Sequence, residues 1–148
     1  MHLIIRAKGV ADAAVLQAAL KGSRHLVVIH SEEKSSSMPA DAEFLPMSMA
    51  EALGLSLPTE VLKIAIVPTP PSNDWIDARF VIIGMMLDHN YSKEEELQLL
   101  IYHIYRGVCA FNLSHDDKIC SIGIHQDLLN MSALPLSRVA DAILKAAS

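Results

Sequence analysis

Seven histidines and two cysteines are the side chains best suited to hold a metal or carry a nucleophile. Their spacing argues against both uses. His25 and His30 are five apart, so an extended chain points them to opposite faces. His103 sits in a helical pattern with no ligand-type residue four positions on. His115 has Asp116 and Asp117 beside it, but sequence neighbours rarely share one ion. No HxxxH, HExxH or CxxC occurs, and no GxSxG nucleophile elbow. Nor is there a GxGxxG or GxxxxGK[ST] phosphate loop. The sequence therefore predicts no catalytic residue, no metal and no cofactor. Cys109 (in GVCAF) and Cys120 (in KICSI) have apolar neighbours and read as buried thiols acting as small hydrophobes. A disulfide between them is left open.

Two stretches look built for binding. Gly9 precedes a helix start with Lys8 beside it, where free N–H groups suit an anion. A glycine that merely permits a tight strand-to-helix turn accounts for it equally. The second stretch runs from Pro68 to Asp77. Its prolines stiffen the chain, so its polar groups lose little entropy on binding. It holds Trp75, the only tryptophan, among Asn73, Asp74 and Asp77. Trp75 either stacks on a ligand or closes the edge of the core.

Alternating strand and helix patterns must position these residues. Leu3–Ile5 reads as a strand, then VADAAVLQAALKG as a helix stopped at Gly22. Val10, Ala13, Ala14, Leu16, Ala18 and Leu20 form its apolar face. His25–His30 has the continuous apolar run of a central strand covered on both faces. Strand, helix, strand in this order predicts a βαβ unit. Ser31–Ala42 is polar and reads as a loop. Ser48 with Glu51 fits a capping box for a short helix ended by Gly54. Leu62–Val67 and Phe80–Leu87 read as strands, with Gly84 marking a bulge or a close approach. Ser92 and Glu95 form a second capping box. The helix behind it repeats Leu97, Leu100, Ile101, Ile104, Val108 and Phe111, ending near Asn112. Residues 119–129 are ambiguous between strand and helix, and Ser137 is placed as the cap of a final helix. The sum is a single α/β domain over 1–148, two- or three-layered, with a mostly parallel sheet of about four strands.

Composition sets outer bounds. A chain of 148 residues buries roughly 70% of its unfolded surface and needs no staple. A formal net charge of −5 argues against a general nucleic-acid binder. Lys8, Lys21 and Arg24 are basic neighbours best read as a solvated helix edge. The longest apolar run is far short of the ~20 residues that span a bilayer, so no membrane insertion is expected. MHLIIRAKG lacks a signal-peptide core. The chain reads as cytoplasmic, or as a mature or excised piece of an exported protein. Mean hydropathy is +0.30, so the apolar content exceeds ordinary needs.

From Val61 onward the order of features resembles the last third of the TAXI-type solute-binding proteins of TRAP transporters. IVPTPPSNDWID is a strand running into a proline loop with acidic and aromatic residues. ARFVIIGMML, the capped helix HNYSKEEELQLLIYHIYRGV, the SHDD turn, QDLLNMSALPL and a terminal helix follow. The resemblance implies a fold like one lobe of a periplasmic binding protein. It implies a small organic acid or amino acid as ligand, held near Thr69, Ser72, Asn73, Asp74 and Trp75. That family has two lobes and about twice this length. Its usual His-Pro-Gly near the end is Leu136-Ser137-Arg138 here.

Two functions fit. The first is a non-enzymatic lobe binding a small organic anion, its loops after Ile29 and Val67 lining the carboxyl edge of the sheet. The second is a homodimeric structural or regulatory module without a ligand. An apolar surplus on the helix face of Leu99, Tyr102 and Tyr105 favours the module. A surplus around Trp75 favours the lobe.

Overall fold

The computed structural model describes residues 1–21, 23, 25–30, 39–55, 64–71, 76–84, 92–129 and 134–147. The proposed helix stop at Gly22 and the basic residue Arg24 lie outside them. So do most of the Ser-rich loop, Leu62, Lys63, Met85–Leu87 and the site residues Ser72, Asn73, Asp74 and Trp75.

The described residues form an α/β fold around one six-stranded sheet, ordered β2-β1-β6-β3-β5-β4. The strands are β1 (His2–Ala7), β2 (Leu26–His30), β3 (Ala42–Leu45), β4 (Ile64–Pro68), β5 (Phe80–Gly84) and β6 (Ser121–His125). All neighbours pair in parallel except β4 with β5. Six strands replace the expected four. The additions are β3, too short to announce itself, and β6, which settles the ambiguous stretch as strand followed by the one-turn helix α4 (Gln126–Leu129). β2 is an edge strand, half-buried along its length, and not the central strand its apolar run suggested.

Alternation along the strands sorts the two faces. Leu3, Ile5, Ala7, Phe44, Ile82, Ile122 and Ile124 share one core with three helices. These are α1 (Val10–Ala19), α3 (Lys93–Ser114) and α5 (Leu136–Ala147). α1 offers Leu16 and Leu20 to that core, while Val10 is 72% exposed, so its apolar face is narrower than the pattern implied. α3 buries Leu97, Leu100, Ile101, Ile104 and Val108, the predicted stripe. Its capping box also forms: the Glu95 N–H donates to Ser92 Oγ (3.2 Å), and the Ser92 hydroxyl donates to Glu95 Oε1 (3.0 Å). At its end Asn112 grips the chain across the turn, donating to Ile119 O (2.9 Å) and accepting from the Ile119 N–H (2.8 Å). Gly84 brings a close approach of Phe44, Ile64 and Leu100, each about 3 Å from where a Cβ would stand.

The opposite face carries a smaller core of Leu45, Ala50, Val81 and Ile83 beneath α2 (Met47–Ala52). α2 starts after Pro46 with no side-chain cap, so Ser48 lies inside the helix and the expected box is absent. Gly54 does end it. At φ 73° it lets the Leu55 N–H reach Ala50 O and its own N–H reach Glu51 O, a Schellman closure. α5 likewise begins at Leu136, one residue before the proposed cap Ser137.

On this second face a charged pair crosses the middle of the sheet. Arg6 on β1 donates through Nε to Glu43 Oε1 on β3 (2.9 Å) and through Nη2 to Oε2 (3.1 Å). β6 runs between those strands, with Gly123 opposite both Ile4 and Glu43. The pair closes over Gly123 because that position has no side chain. A Cβ there would stand 2.1 Å from Glu43 Oε2 and 3.0 Å from Arg6 Nη2. Both charges are buried, at 9% and 7% exposure. Gly123→Ala should therefore lower stability by about 2–4 kcal/mol, through overpacking and a broken buried pair. Gly9→Ala, with nothing within 4 Å of the new Cβ, should shift it by less than about 0.5 kcal/mol. Urea midpoints of the two variants check this, and equal midpoints would contradict it.

Candidate functional site

The antiparallel course of β4 relocates the proline loop. Pro68 ends β4 opposite Phe80, the first residue of β5, so the loop leaves from the amino edge of the parallel strands. The loop after Ile29 leaves from the carboxyl edge. The two loops do not line one edge, contrary to the sequence expectation. Thr69, the described member of the proposed ligand set, is committed to the hairpin. Its hydroxyl donates to Ala78 O (2.6 Å) and its N–H to Arg79 O (2.9 Å). Arg79 in turn pairs with Asp41 (3.2 Å) and with Asp117, pinning this edge.

At the carboxyl edge the Gly9–Lys8 turn is tied down by α4. Gln126, 2% exposed, accepts from the Lys8 N–H (2.7 Å) and donates to Asp12 Oδ2 (2.9 Å). The Lys8 ammonium pairs with Asp127 (3.2 Å). These contacts give the turn a structural task. His125 stands nearby, half-exposed, with Nε2 3.8 Å from Glu43 Oε1.

A concave surface opens elsewhere, between α3, the end of α5 and the amino ends of β1 and β2. This groove has a volume of about 530 Å³. Helix geometry creates its main wall. Tyr102, Arg106, Cys109 and Leu113 follow a 4-3-4 spacing on α3, a second stripe turned away from the buried one. Tyr105 and Ala110 lie beside them, and Met1, His25 and Ala146 complete the lining. Tyr102 is 42% exposed and Leu113 is 90% exposed. Cys109 is exposed as well, and so is Cys120, so neither is the buried thiol expected. Next to the buried Val108, a one-residue step around the helix turns Cys109 outward.

Two polar groups on this wall are unusual. The Arg106 guanidinium leans over the Tyr102 ring (5.7 Å) and donates to its hydroxyl (3.2 Å). It makes no ion pair among the described residues. The Tyr105 hydroxyl is out of contact with water and has no hydrogen-bond partner among the described residues. Burial pushes its pKa from 10.0 up to about 12, so it stays a neutral donor across the physiological range. No described group of three His, Cys, Asp or Glu is gathered to hold a metal. No described helix is long and apolar enough to cross a membrane.

The Tyr105 shift carries a pH dependence. Unfolding returns the phenol to its ordinary pKa of 10.0. The unfolded chain then loses this proton before the folded one does. The stability due to protonated Tyr105 is complete below pH 10 and is lost as pH rises to about 12. Tyr105→Phe should flatten the fall of stability over that window, read by urea denaturation at several pH values. At neutral pH the variant should be equally stable or more stable, by up to about 1 kcal/mol, because a buried unpartnered hydroxyl is gone. A parallel fall in both proteins would show that the Tyr105 hydroxyl is hydrated.

No protein-family model matches this chain, and no curated protein matches it at a significant level.

Proposed function

We propose that this chain is a non-enzymatic domain that binds a small organic molecule in the α3 groove. The observation that carries the reading is the groove itself. At about 530 Å³ it falls within the few-hundred to thousand Å³ of small-molecule sites. Its lining is mostly apolar with a few fixed polar groups, the usual composition of such sites. The resemblance to a solute-binding lobe points the same way. What supports kinship is the order of β4, proline loop, β5, capped α3, polar turn and terminal helix. By that kinship the ligand class is an organic acid or amino acid, and the fold is one lobe of a periplasmic binding protein. The groove, rather than the loop around Thr69, is the place this reading assigns to the ligand.

A homodimeric module is the second reading, and one observation favours it. The exposed apolar residues Tyr102 and Leu113 lie on the α3 face where a partner would dock. The concavity of that face and its two unanswered polar groups favour a ligand.

Native and denatured mass spectrometry of the purified chain separates the readings. An added mass on the order of a few hundred daltons per chain, lost on denaturation, is expected for a co-purified ligand. A dimer of bare chains, dissociated by Leu113→Asp, would replace the binding function with the interface.

A further inference from the structure

The polar groups of the groove narrow the ligand class, an inference that rests on the small-molecule reading above. We propose that the groove takes an apolar monocarboxylate: a flat aromatic or short aliphatic body with one anionic end, and not an amino acid. The lining holds a cation without a counter-charge, Arg106, and no Asp or Glu. A carboxylate gains a charge-assisted bond from such a guanidinium, while an ammonium finds no carboxylate to receive it. Arg106 is held in place by the Tyr102 hydroxyl and ring, so little side-chain freedom is lost when an anion docks.

Tyr105 adds an independent requirement. A phenol that cannot ionise below about pH 12 acts there as a hydrogen-bond donor, and this one has no acceptor among the described residues. The missing partner is an acceptor oxygen. One group supplies both an anion for Arg106 and an oxygen for Tyr105, and that group is a carboxylate. The remaining walls are apolar or aromatic in Met1, Tyr102, Ala110, Leu113 and Ala146, which suits a body with no further polar groups.

The test uses four probes: 2-naphthoate and decanoate, and their neutral counterparts 2-naphthamide and decanamide. Binding is measured by calorimetry on the full chain. At least one acid should bind, about tenfold tighter than its amide. Arg106→Gln should erase that difference by weakening the acid alone. Tyr105→Phe should weaken acid and amide together by roughly fivefold, because each offers an oxygen. Arg106 is exposed and Phe keeps the ring, so both variants should stay folded, which thermal unfolding checks. Location is read through Cys109, exposed on the groove wall, in a Cys120→Ser background. A bound acid should slow its labelling by a thiol reagent.

Acid and amide binding equally, with Cys109 protected, would overturn the carboxylate inference and leave the small-molecule reading standing. Binding without protection of Cys109 would overturn the inference by placing the acid elsewhere. No binding of any probe at millimolar concentration, with Cys109 already protected in a dimer, would overturn both.

Discussion

The arrangement of the central strands depends on one interaction, the arginine–glutamate pair that spans β6. Removing two charges from water costs several kcal/mol each, and only good geometry offsets it. Here the geometry is a two-bond fork between Arg6 and Glu43. It exists only when β1 and β3 flank β6 and Gly123 stands between them. A slip of one residue in any of the three strands would turn its member of the set to the opposite face. Arg6 or Glu43 would then sit unpaired among the isoleucines of the main core. Apolar residues at these positions would accept several registers and strand orders. The charged pair with its glycine accepts one.

That constraint also separates the two faces by kind. With the charged pair and the smaller α2 core on one side, the three longer helices gather on the other. α3 packs beside α5 and against β4 and β5. Arg138 (3.7 Å) and Lys145 (3.5 Å) of α5 reach Glu94 near the start of α3. α3 has 22 residues, much longer than the strands it covers. Its later turns extend past the sheet and carry Tyr102 to Leu113 beside the starts of β1 and β2. The groove is thus a consequence of a long helix on short strands. One stripe of α3 is spent on the core, and the next is left facing open space.

The sequence shows its long, regular elements and hides its short ones. α3 is legible because six apolar residues repeat at helical spacing behind Ser92 and Glu95, a cap that works through local bonds alone. β3 and β6 are four and five residues long, too short for alternation to stand out. Only tertiary pairing makes them strands. The continuous run of β2 predicts a covered central strand, but burial along an edge follows from which neighbours exist, and a local pattern cannot state that. Position around a helix explains Cys109 in the same way. Its neighbours in sequence are apolar, yet a 100° step separates it from Val108 and turns it to the surface. Ser48 shows the opposite error, a capping pattern two residues inside a helix that Pro46 had already begun.

The groove was half legible. The sequence singles out Tyr102 and Tyr105 as candidates for a second helix face, and their spacing is enough for that. It does not reveal that the face is concave, since the other wall comes from Met1, His25 and Ala146, far away along the chain. Nor does it reveal that one tyrosine hydroxyl loses contact with water while the other holds an arginine. Those two facts decide the chemistry. An apolar stripe alone would accept a partner helix, a lipid tail or a second copy equally well, because hydrophobic burial has no direction. A cation without a counter-charge and a donor without an acceptor do have direction, and leaving either unanswered is costly in a site closed to water. A surface evolved for apolar contact between protein chains gains nothing from a buried phenol without a partner. A small acid can answer that phenol and the guanidinium through the same carboxylate.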